Sequence, residues 1–362
     1  MPILTRPVLE INLSALLHNF QNLQKLAPSS ISAAVVKDNA YGLGAKEVVS
    51  YLYNYGNCRH FFVAHAVEGS EIREFAPNAD IYVLQGMGDD NLSLFEQFHL
   101  IPVISCPEQF AFWQQHKISS IKPAIHIETG LNRLGYREQD IKTLTPDEIS
   151  SLGLVMSHLA CADVCGHFMN ELQLNNFNRI RSRYFATIPA SLSASDGVFL
   201  GNEYHFEMTR LGAAMYGINT APNRPNTMSP IIKVSAPVLE IAPLSVGEYV
   251  GYSATYRADS PRRLAIVSIG YGDGYPRALS NIGKVFFTHN NHRHEIRVLG
   301  RVSMDNLICD VTDVSEIKVG DMVNILDETY TLDNMGQDSG TIAYEILSRI
   351  GKNPRFERIY IK

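Results

Sequence analysis

Eight short apolar runs, interleaved with stretches of helical spacing, fill the first part of the chain and leave few folds open. They are Ala33–Val36, Phe61–Ala64, Ile81–Leu84, Ile101–Ile104, Ala124–Ile127, Leu154–His158, Ala190–Ala194 and His205–Met208. Runs this short and this apolar suit strands buried on both faces, as in a parallel sheet. Helices are expected around Val67–Phe75, Asp90–Phe98, Glu108–His116, Glu138–Leu144 and Asn170–Thr187. Before them, an extended start at Val8–Ile11 leads into Leu13, Leu16, Leu17, Phe20, Leu23 and Leu26 at helical spacing. Eight βα units in roughly two hundred residues are the size of a (β/α)8 TIM-type barrel. An open doubly wound sheet is the alternative, and no dinucleotide fingerprint follows the first run to support it.

The pattern changes near Asn219–Pro225, where Pro222, Pro225 and Pro230 punctuate the chain. Beyond it, runs such as Ile231–Val234, Val298–Val302 and Phe356–Ile361 are alternating or β-branched, and one helix is expected over Ser339–Ile350, ended by Gly351. At 362 residues the chain is long for one core, so it is read as a barrel domain at 1–225 and a mainly β domain at 226–362. Lys and Arg total 31 against 37 Asp and Glu, a net charge of −6 with no basic run, which argues against a nucleic-acid partner. Five cysteines without C-x-x-C spacing argue against a disulfide framework or a zinc ribbon and point to reduced thiols in a cytoplasmic protein. The start, Met1–Pro7, lacks the apolar core of a signal peptide, and no run approaches membrane-spanning length. His289-Asn290-Asn291-His292-Arg293-His294 has a metal-like composition, but Asn-Asn between apolar runs is more simply a hairpin turn, and no metal is expected.

The first run ends at Lys37, followed by Asp38-Asn39-Ala40-Tyr41-Gly42-Leu43-Gly44. Barrel strands carry chemistry at their C-terminal ends, and a buried lysine amine there can form a Schiff base. The competing reading is a solvated lysine opening an ordinary loop, with Gly42 and Gly44 serving the turn. Barrels of this kind often bind phosphate in the loops after strands seven and eight. Ser195 follows the seventh run and Arg210-Leu211-Gly212-Ala213 the eighth, which puts a hydroxyl and the amides of a helix start in those loops. Ile269–Arg277 has the glycines of a nucleotide loop, but Pro276 and the β-rich surroundings argue against the helix such a loop needs.

Val36–Gly44 resembles the cofactor-attachment motif of alanine racemases, whose lysine carries pyridoxal 5′-phosphate as an internal aldimine. By this resemblance Lys37 is the attachment site and one catalytic base, and Tyr41 contacts the cofactor phosphate. His126–Gly135 resembles the family segment whose arginine, here Arg133, bonds the cofactor's phenolic oxygen and faces the substrate. A lysine that some relatives carry in carbamylated form aligns with His126, and Asn132 stands where glycine is frequent. Ser157–Asp163 resembles the segment placing His158 beside the pyridine ring and Asp163 at the substrate entry. The family's phosphate contacts fall on Ser195, Gly212 and Ala213, with Ala194 where relatives often have asparagine, and Arg210 faces the pyridine nitrogen. A guanidinium is donor-only and stays charged, so it hardly protonates that nitrogen.

Val250–Tyr256 resembles the segment holding the second catalytic base, here Tyr252. Racemisation removes a proton from one face of the α-carbon and returns one to the other, so two opposed bases suffice. A phenol of unperturbed pKa near ~10 needs a neighbouring cation or histidine to act near neutrality. Tyr271, Arg277 and Arg301 match positions lining the substrate channel, Met304 matches the loop whose backbone holds the substrate carboxylate, and Tyr344 matches a phosphate contact.

The resemblance spans nearly the whole chain. It implies a homodimer in which Tyr252, Tyr271 and Met304 serve the partner's cofactor, and an activity interconverting L-alanine and D-alanine, for cell-wall peptidoglycan or alanine catabolism. The alternatives are a serine or broad-specificity racemase of the same fold, a related decarboxylase, which normally has an acid at the ring nitrogen, and a non-catalytic cofactor carrier, whose known barrel-only relatives lack a second domain.

Overall fold

A computed structural model describes residues 5–362; Met1–Leu4, part of the stretch read above for a signal peptide, lie outside the described residues. After β1 (Val8–Asn12) come β2 (Ile31–Val35), β3 (His60–Val63), β4 (Asp80–Val83), β5 (Ile101–Ile104), β6 (Ala124–His126), β7 (Leu154–Met156), β8 (Ala190–Ser191) and β9 (Met208–Leu211). Strands β2 to β9 make one parallel sheet in the order β8-β7-β6-β5-β4-β3-β2-β9. The ring is closed by a bridge between Ala194 and Arg210, where the Arg210 amide donates to the Ser193 carbonyl at 3.0 Å. A single hydrophobic cluster takes Ala33, Phe62, Tyr82, Val103, Ala124, Leu154, Met156 and Met208 from seven of these strands. Side chains from around the ring meet only inside it, so this cluster is the filled interior of a barrel. Burying each of its larger members stabilises the fold by roughly 1.5–3 kcal/mol. The unit comprises Ala15–Ala40 and Gly44–Ser229.

Local signals explain most of the elements. In the helix Leu13–Leu26 the buried residues Leu13, Leu16, Phe20 and Leu23 recur at helical spacing. The eighth barrel strand is a correction: it lies at Met208–Leu211, not His205–Met208. Phe206 adopts φ 56°, which breaks an extended run, and the His205 ring is held by the Val198 carbonyl at 2.9 Å. Arg210 therefore sits within the last strand rather than after it. A helix at Ala45–Tyr55 was not anticipated.

The second unit comprises the described residues up to Ser14, with Tyr41–Leu43 and Pro230–Lys362. Its axis is β10 (Ile232–Leu244), which pairs with β1 and Met322–Leu326 through its first half and with Arg262–Val267 through its second. A bulge between Val238 and Glu240 lets one strand serve both groups. The extended start at β1 thus joins this sheet, parallel to the closing strand Glu357–Ile361. The His289–His294 stretch forms the expected hairpin, with Asn290 at φ 46° and Asn291 at φ 61°. The helix expected over Ser339–Ile350 begins later, at Ala343, and runs to Lys352; a separate, unexpected helix, Leu332–Ser339, precedes it and is capped by Gly340 at φ 71°. Gly351 lies inside the second helix instead of ending it.

A reason for that glycine is its contact with Gly42. A Cβ on Gly351 would come within 2.7 Å of the Gly42 backbone, and one on Gly42 within 2.8 Å of the Gly351 backbone. The same three-residue segment is fixed by Arg358 Nη2 donating to the Gly42 carbonyl and Tyr360 Oη donating to the Leu43 carbonyl, each at 2.9 Å. Gly351→Ala is expected to destabilise the chain by about 1–3 kcal/mol through overpacking. Gly42→Ala should cost more, since Gly42 also has φ 90°. Urea unfolding checks both, and parent-like stability in the two variants would contradict the close approach.

Candidate active site

Lys37 follows β2 after one residue, Val36, and the backbone beyond it winds left-handed. Asp38, Asn39, Ala40 and Tyr41 have φ 59°, 55°, 54° and 56°. This conformation costs non-glycine residues roughly 1–2 kcal/mol each, so the turn needs compensation. Part of it is internal: the Ala40 amide donates to the Val36 carbonyl at 2.8 Å, and Asn39 Oδ1 accepts from the Ala45 amide at 2.8 Å. The Glu68 carboxylate accepts from two further amides of the turn. Sequence analysis missed Glu68, because nothing local marks an acid in a helix's first turn as the partner of a segment 30 residues earlier.

Around the Lys37 amine the barrel unit gathers positive charge. Arg210 is buried at 4% exposure, and its guanidinium donates to the Ser191 carbonyl (3.0 Å), Ser191 Oγ (2.6 Å), the Ser157 carbonyl (2.6 Å) and the Leu192 carbonyl (3.2 Å). Burial pulls its pKa down to about 10, opposed by Asp196, so it stays charged at neutral pH. Burial, then Arg210, then Arg133 bring the His126 imidazole down to about 4, and the same causes hold His158 well below the usual histidine range. Both imidazoles are therefore neutral. His126 cannot supply the negative charge a carbamylated lysine would bring to Arg133. Asn132 has φ 54°, a conformation that suits glycine and that asparagine tolerates, which accounts for it standing where glycine is frequent.

Buried polar side chains position the two loops. Gln173, fully buried, donates to the His158 carbonyl at 2.9 Å and to Thr129 Oγ1 at 3.2 Å, and accepts from the Ala160 amide at 2.8 Å. Thr129 Oγ1 and Ser157 Oγ are 2.7 Å apart. One helix, Phe168–Tyr184, thereby ties the Arg133 segment to the His158 segment. Next to β9, Ser195 Oγ accepts from the amides of Gly212 at 2.7 Å and Ala214 at 3.3 Å, on either side of Ala213 in the chain. Asp163 is exposed.

The other candidate residues lie on loops of the second unit. Tyr252 stands 68% exposed at the tip of a hairpin joining Tyr249–Val250 to Tyr256–Arg257. The amides of Tyr271 and Gly272 donate to the carbonyls of Ser303 and Met304 at 3.0 and 2.8 Å, which locks those two loops together. Asn281, another residue sequence analysis missed, joins three loops: its amide and Oδ1 pair with the Gly300 backbone at 3.0 and 2.7 Å, and its Nδ2 donates to Thr255 Oγ1 at 3.1 Å. Ser280 Oγ bonds the Arg277 carbonyl at 2.6 Å and the Val302 amide at 3.1 Å, setting Arg277 beside the Arg301 segment. The rings of Tyr41 and Tyr344 are 6.5 Å apart, centroid to centroid. Tyr252, Tyr271, Arg277, Arg301 and Met304 are thus assembled on adjoining loops, with Tyr41 and Tyr344 as a separate pair.

Burial and then Arg133 lower the Lys37 pKa, with Glu68 and Asp38 opposing and Arg210 adding to the shift. A lowered lysine pKa means the folded chain holds a larger fraction of the neutral, nucleophilic amine at a given pH than free lysine does. In cofactor-free protein, labelling of Lys37 by an amine-selective reagent is expected to reach half-maximum below pH 10.5, the ordinary lysine value. Arg133→Gln should move that midpoint back up; a Lys37 midpoint at the value of exposed lysines would contradict this electrostatic picture.

Comparison with known proteins gives the family. The family model described as alanine racemase, N-terminal domain, matches residues 11–220, and the one described as alanine racemase, C-terminal domain, matches residues 231–360. Two proteins of Agrobacterium fabrum, named as the biosynthetic and the catabolic alanine racemase, are each 38% identical to this chain; both alignments cover 98% of it and 93% and 92% of the relatives. The crystal structure of alanine racemase from Bartonella henselae with covalently bound pyridoxal phosphate is similar with a TM-score of 0.92 at 33% identity, covering 98% of this chain and 99% of that one. The biosynthetic alanine racemase of Pseudomonas aeruginosa gives a TM-score of 0.89 at 30% identity, covering 99% and 100%. With both of its halves matched in order, the chain belongs to the alanine racemase family.

Proposed function

We propose that this chain interconverts L-alanine and D-alanine with pyridoxal 5′-phosphate carried on Lys37. The observation that carries the reading is the Lys37 amine, half-buried just past the end of the first barrel strand among Arg133, Arg210 and the neutral His158 imidazole. That donor set fits the cofactor, because an excess of cations favours a molecule with a phosphate and a phenolate. Bound there, pyridoxal phosphate supplies an electron sink that acidifies the α-proton of a joined amino acid.

This chain's residues supply the rest. Lys37 takes or returns the α-proton on one face, and Tyr252 of the partner subunit does so on the other. Arg210 has four of its N–H groups engaged by barrel oxygens. Its remaining one serves the ring nitrogen as a hydrogen bond without giving up a proton. Tyr41, Ser195, Gly212, Ala213 and Tyr344 hold the phosphate, Arg133 holds the phenolic oxygen and the substrate carboxylate, and His158 flanks the ring. Met304 binds the carboxylate through its backbone, Tyr271 contacts the substrate, and Asp163, Arg277 and Arg301 line the entry. The exposure of Tyr252, Tyr271 and Met304, at 68%, 42% and 51%, supports a homodimer in which these loops serve the neighbouring chain. In this reading residues 1–225 bind the cofactor, with β1 built into the second unit's sheet, and residues 226–362 complete the partner's site. Among the described residues no helix is long and apolar enough to cross a membrane, which supports a cytoplasmic enzyme.

Borohydride reduction of the purified, yellow protein is expected to fix the cofactor on Lys37; an adduct on another lysine would overturn the assignment. Ser195→Ala and Tyr344→Phe should weaken cofactor retention more than they slow turnover at saturating cofactor, checked by dialysis and reconstitution. Tyr252→Phe should still bind alanine but lose racemisation. Mixed with inactive Lys37→Ala protein, once subunit exchange is established, it should regain activity, because one site per mixed dimer holds both bases. Exchanged dimers without activity would reject the shared site.

A further inference from the structure

Glu68 lies outside the residues assigned a role above, yet it makes the bonds that fix the backbone on which Lys37 stands. Its Oε1 accepts from the amides of Asp38 at 2.5 Å and Asn39 at 3.4 Å, and its Oε2 from those of Ala64 at 2.7 Å and His65 at 3.1 Å. One carboxylate therefore bridges the left-handed turn after β2 and the segment after β3, the neighbouring strand. Backbone amides are donors only, and a carboxylate, acceptor-only with two oxygens, is the side chain that can take four of them at once. Four successive residues at positive φ do not persist without such external bonds. Two further bonds of the turn, from the Ala40 amide to the Val36 carbonyl and from the Ala45 amide to Asn39 Oδ1, lie within the segment from Val36 to Ala45.

We propose that Glu68 is a positioning residue for Lys37: by clamping the left-handed turn to the adjacent strand end, it sets where the Lys37 amine stands for proton transfer on its face of the substrate. The proposal rests on the functional reading above for the proton transfer, but the clamp itself does not. A role confined to general stability would act on both faces alike. A positioning role acts through Lys37 alone, so it separates the two directions of the reaction.

The test has two arms. In cofactor-free protein, Glu68→Met keeps the side-chain volume and removes all four acceptors. Amide hydrogen exchange at Asp38 and Asn39 is expected to speed up at least about tenfold, as loss of a protecting bond requires. The barrel-strand amides of Phe61 and Ile81 should keep their protection. Unchanged exchange at Asp38 and Asn39 overturns the clamp, whatever the cofactor proves to be. Should Glu68→Met fail to fold, Glu68→Gln, which keeps one acceptor oxygen, replaces it: faster exchange at either amide pair supports the clamp, and at neither overturns it. In the loaded enzyme, whichever variant folds should lower turnover roughly ten- to hundredfold. The α-deuterium isotope effect on kcat/KM should rise for the enantiomer whose proton Lys37 removes and fall for the other. An effect moving the same way for both enantiomers overturns the positioning role. Exchange that responds as expected in a protein whose Lys37 binds no pyridoxal phosphate would sink the functional reading and uphold the clamp.

Discussion

The buried guanidinium of Arg210 is the interaction on which the barrel's chemistry depends. Removing a cation from water costs several kcal/mol unless its hydrogens are satisfied. Here the cost is offset by four oxygens from the Ser157 and Ser191–Leu192 segments, at the ends of β7 and β8. These acceptors are available because the arginine lies inside the last strand, whose bridge to Ala194 also closes the ring. Closure of the fold and placement of the charge are thus one event. The charge then propagates: it lowers the proton affinity of His126, His158 and Lys37, each already disfavoured as a cation by burial. Several cationic groups close together cannot all stay protonated cheaply; the imidazoles give way, the amine is pushed in the same direction, and the guanidinium keeps its charge.

The second unit solves a different problem. Tyr252, Tyr271, Arg277 and Met304 are exposed, and what the unit fixes is loop geometry rather than pKa. Arg355 pairs with Asp305 at 2.7 Å and Asp273 at 3.3 Å, while Asn353 Nδ2 holds the Gly272 carbonyl at 2.6 Å, so the Tyr271 and Met304 loops form one body. Asn281 does the same for the Gly300 and Thr255 segments on either side of it. Loops bonded to one another in this way keep a few exposed side chains in register without a core around them. An exposed group so held suits a task in which a second surface supplies the missing desolvation.

Much of this was legible in the sequence because it depends on local pattern. The barrel strands show as short unalternated runs, since burial on both faces favours apolar side chains, and the helix Leu13–Leu26 shows as a spacing of buried apolar residues. The motif around Lys37, Arg210, Ser195 and the loop residues Tyr252, Tyr271 and Met304 stand out in the sequence as candidates, and their roles belong to the function proposed above. The errors came where a single residue's backbone overrode the pattern. Phe206 at φ 56° delays the last strand, and Gly340 at φ 71° ends one helix where the pattern reads the start of the next. An aromatic gives no warning of positive φ, and a glycine inside a helical pattern does not say whether it caps or is merely tolerated.

The sequence by itself therefore determined the barrel, the β-rich second unit and the residue types available for chemistry, because periodicity and side-chain chemistry are properties of neighbouring residues. Only the tertiary structure decided that β1 leaves the barrel for the sheet of the second unit, that Gly351 exists for Gly42, and that Glu68 holds a turn 30 residues away. It alone decided that His126 and His158 are neutral. Each of these depends on what lies across space from a residue: a strand edge to pair with, a backbone to make room for, a donor to accept from, a cation and a low-dielectric wall. No local stretch of chain encodes that partner, so it becomes visible only when the fold brings the two together.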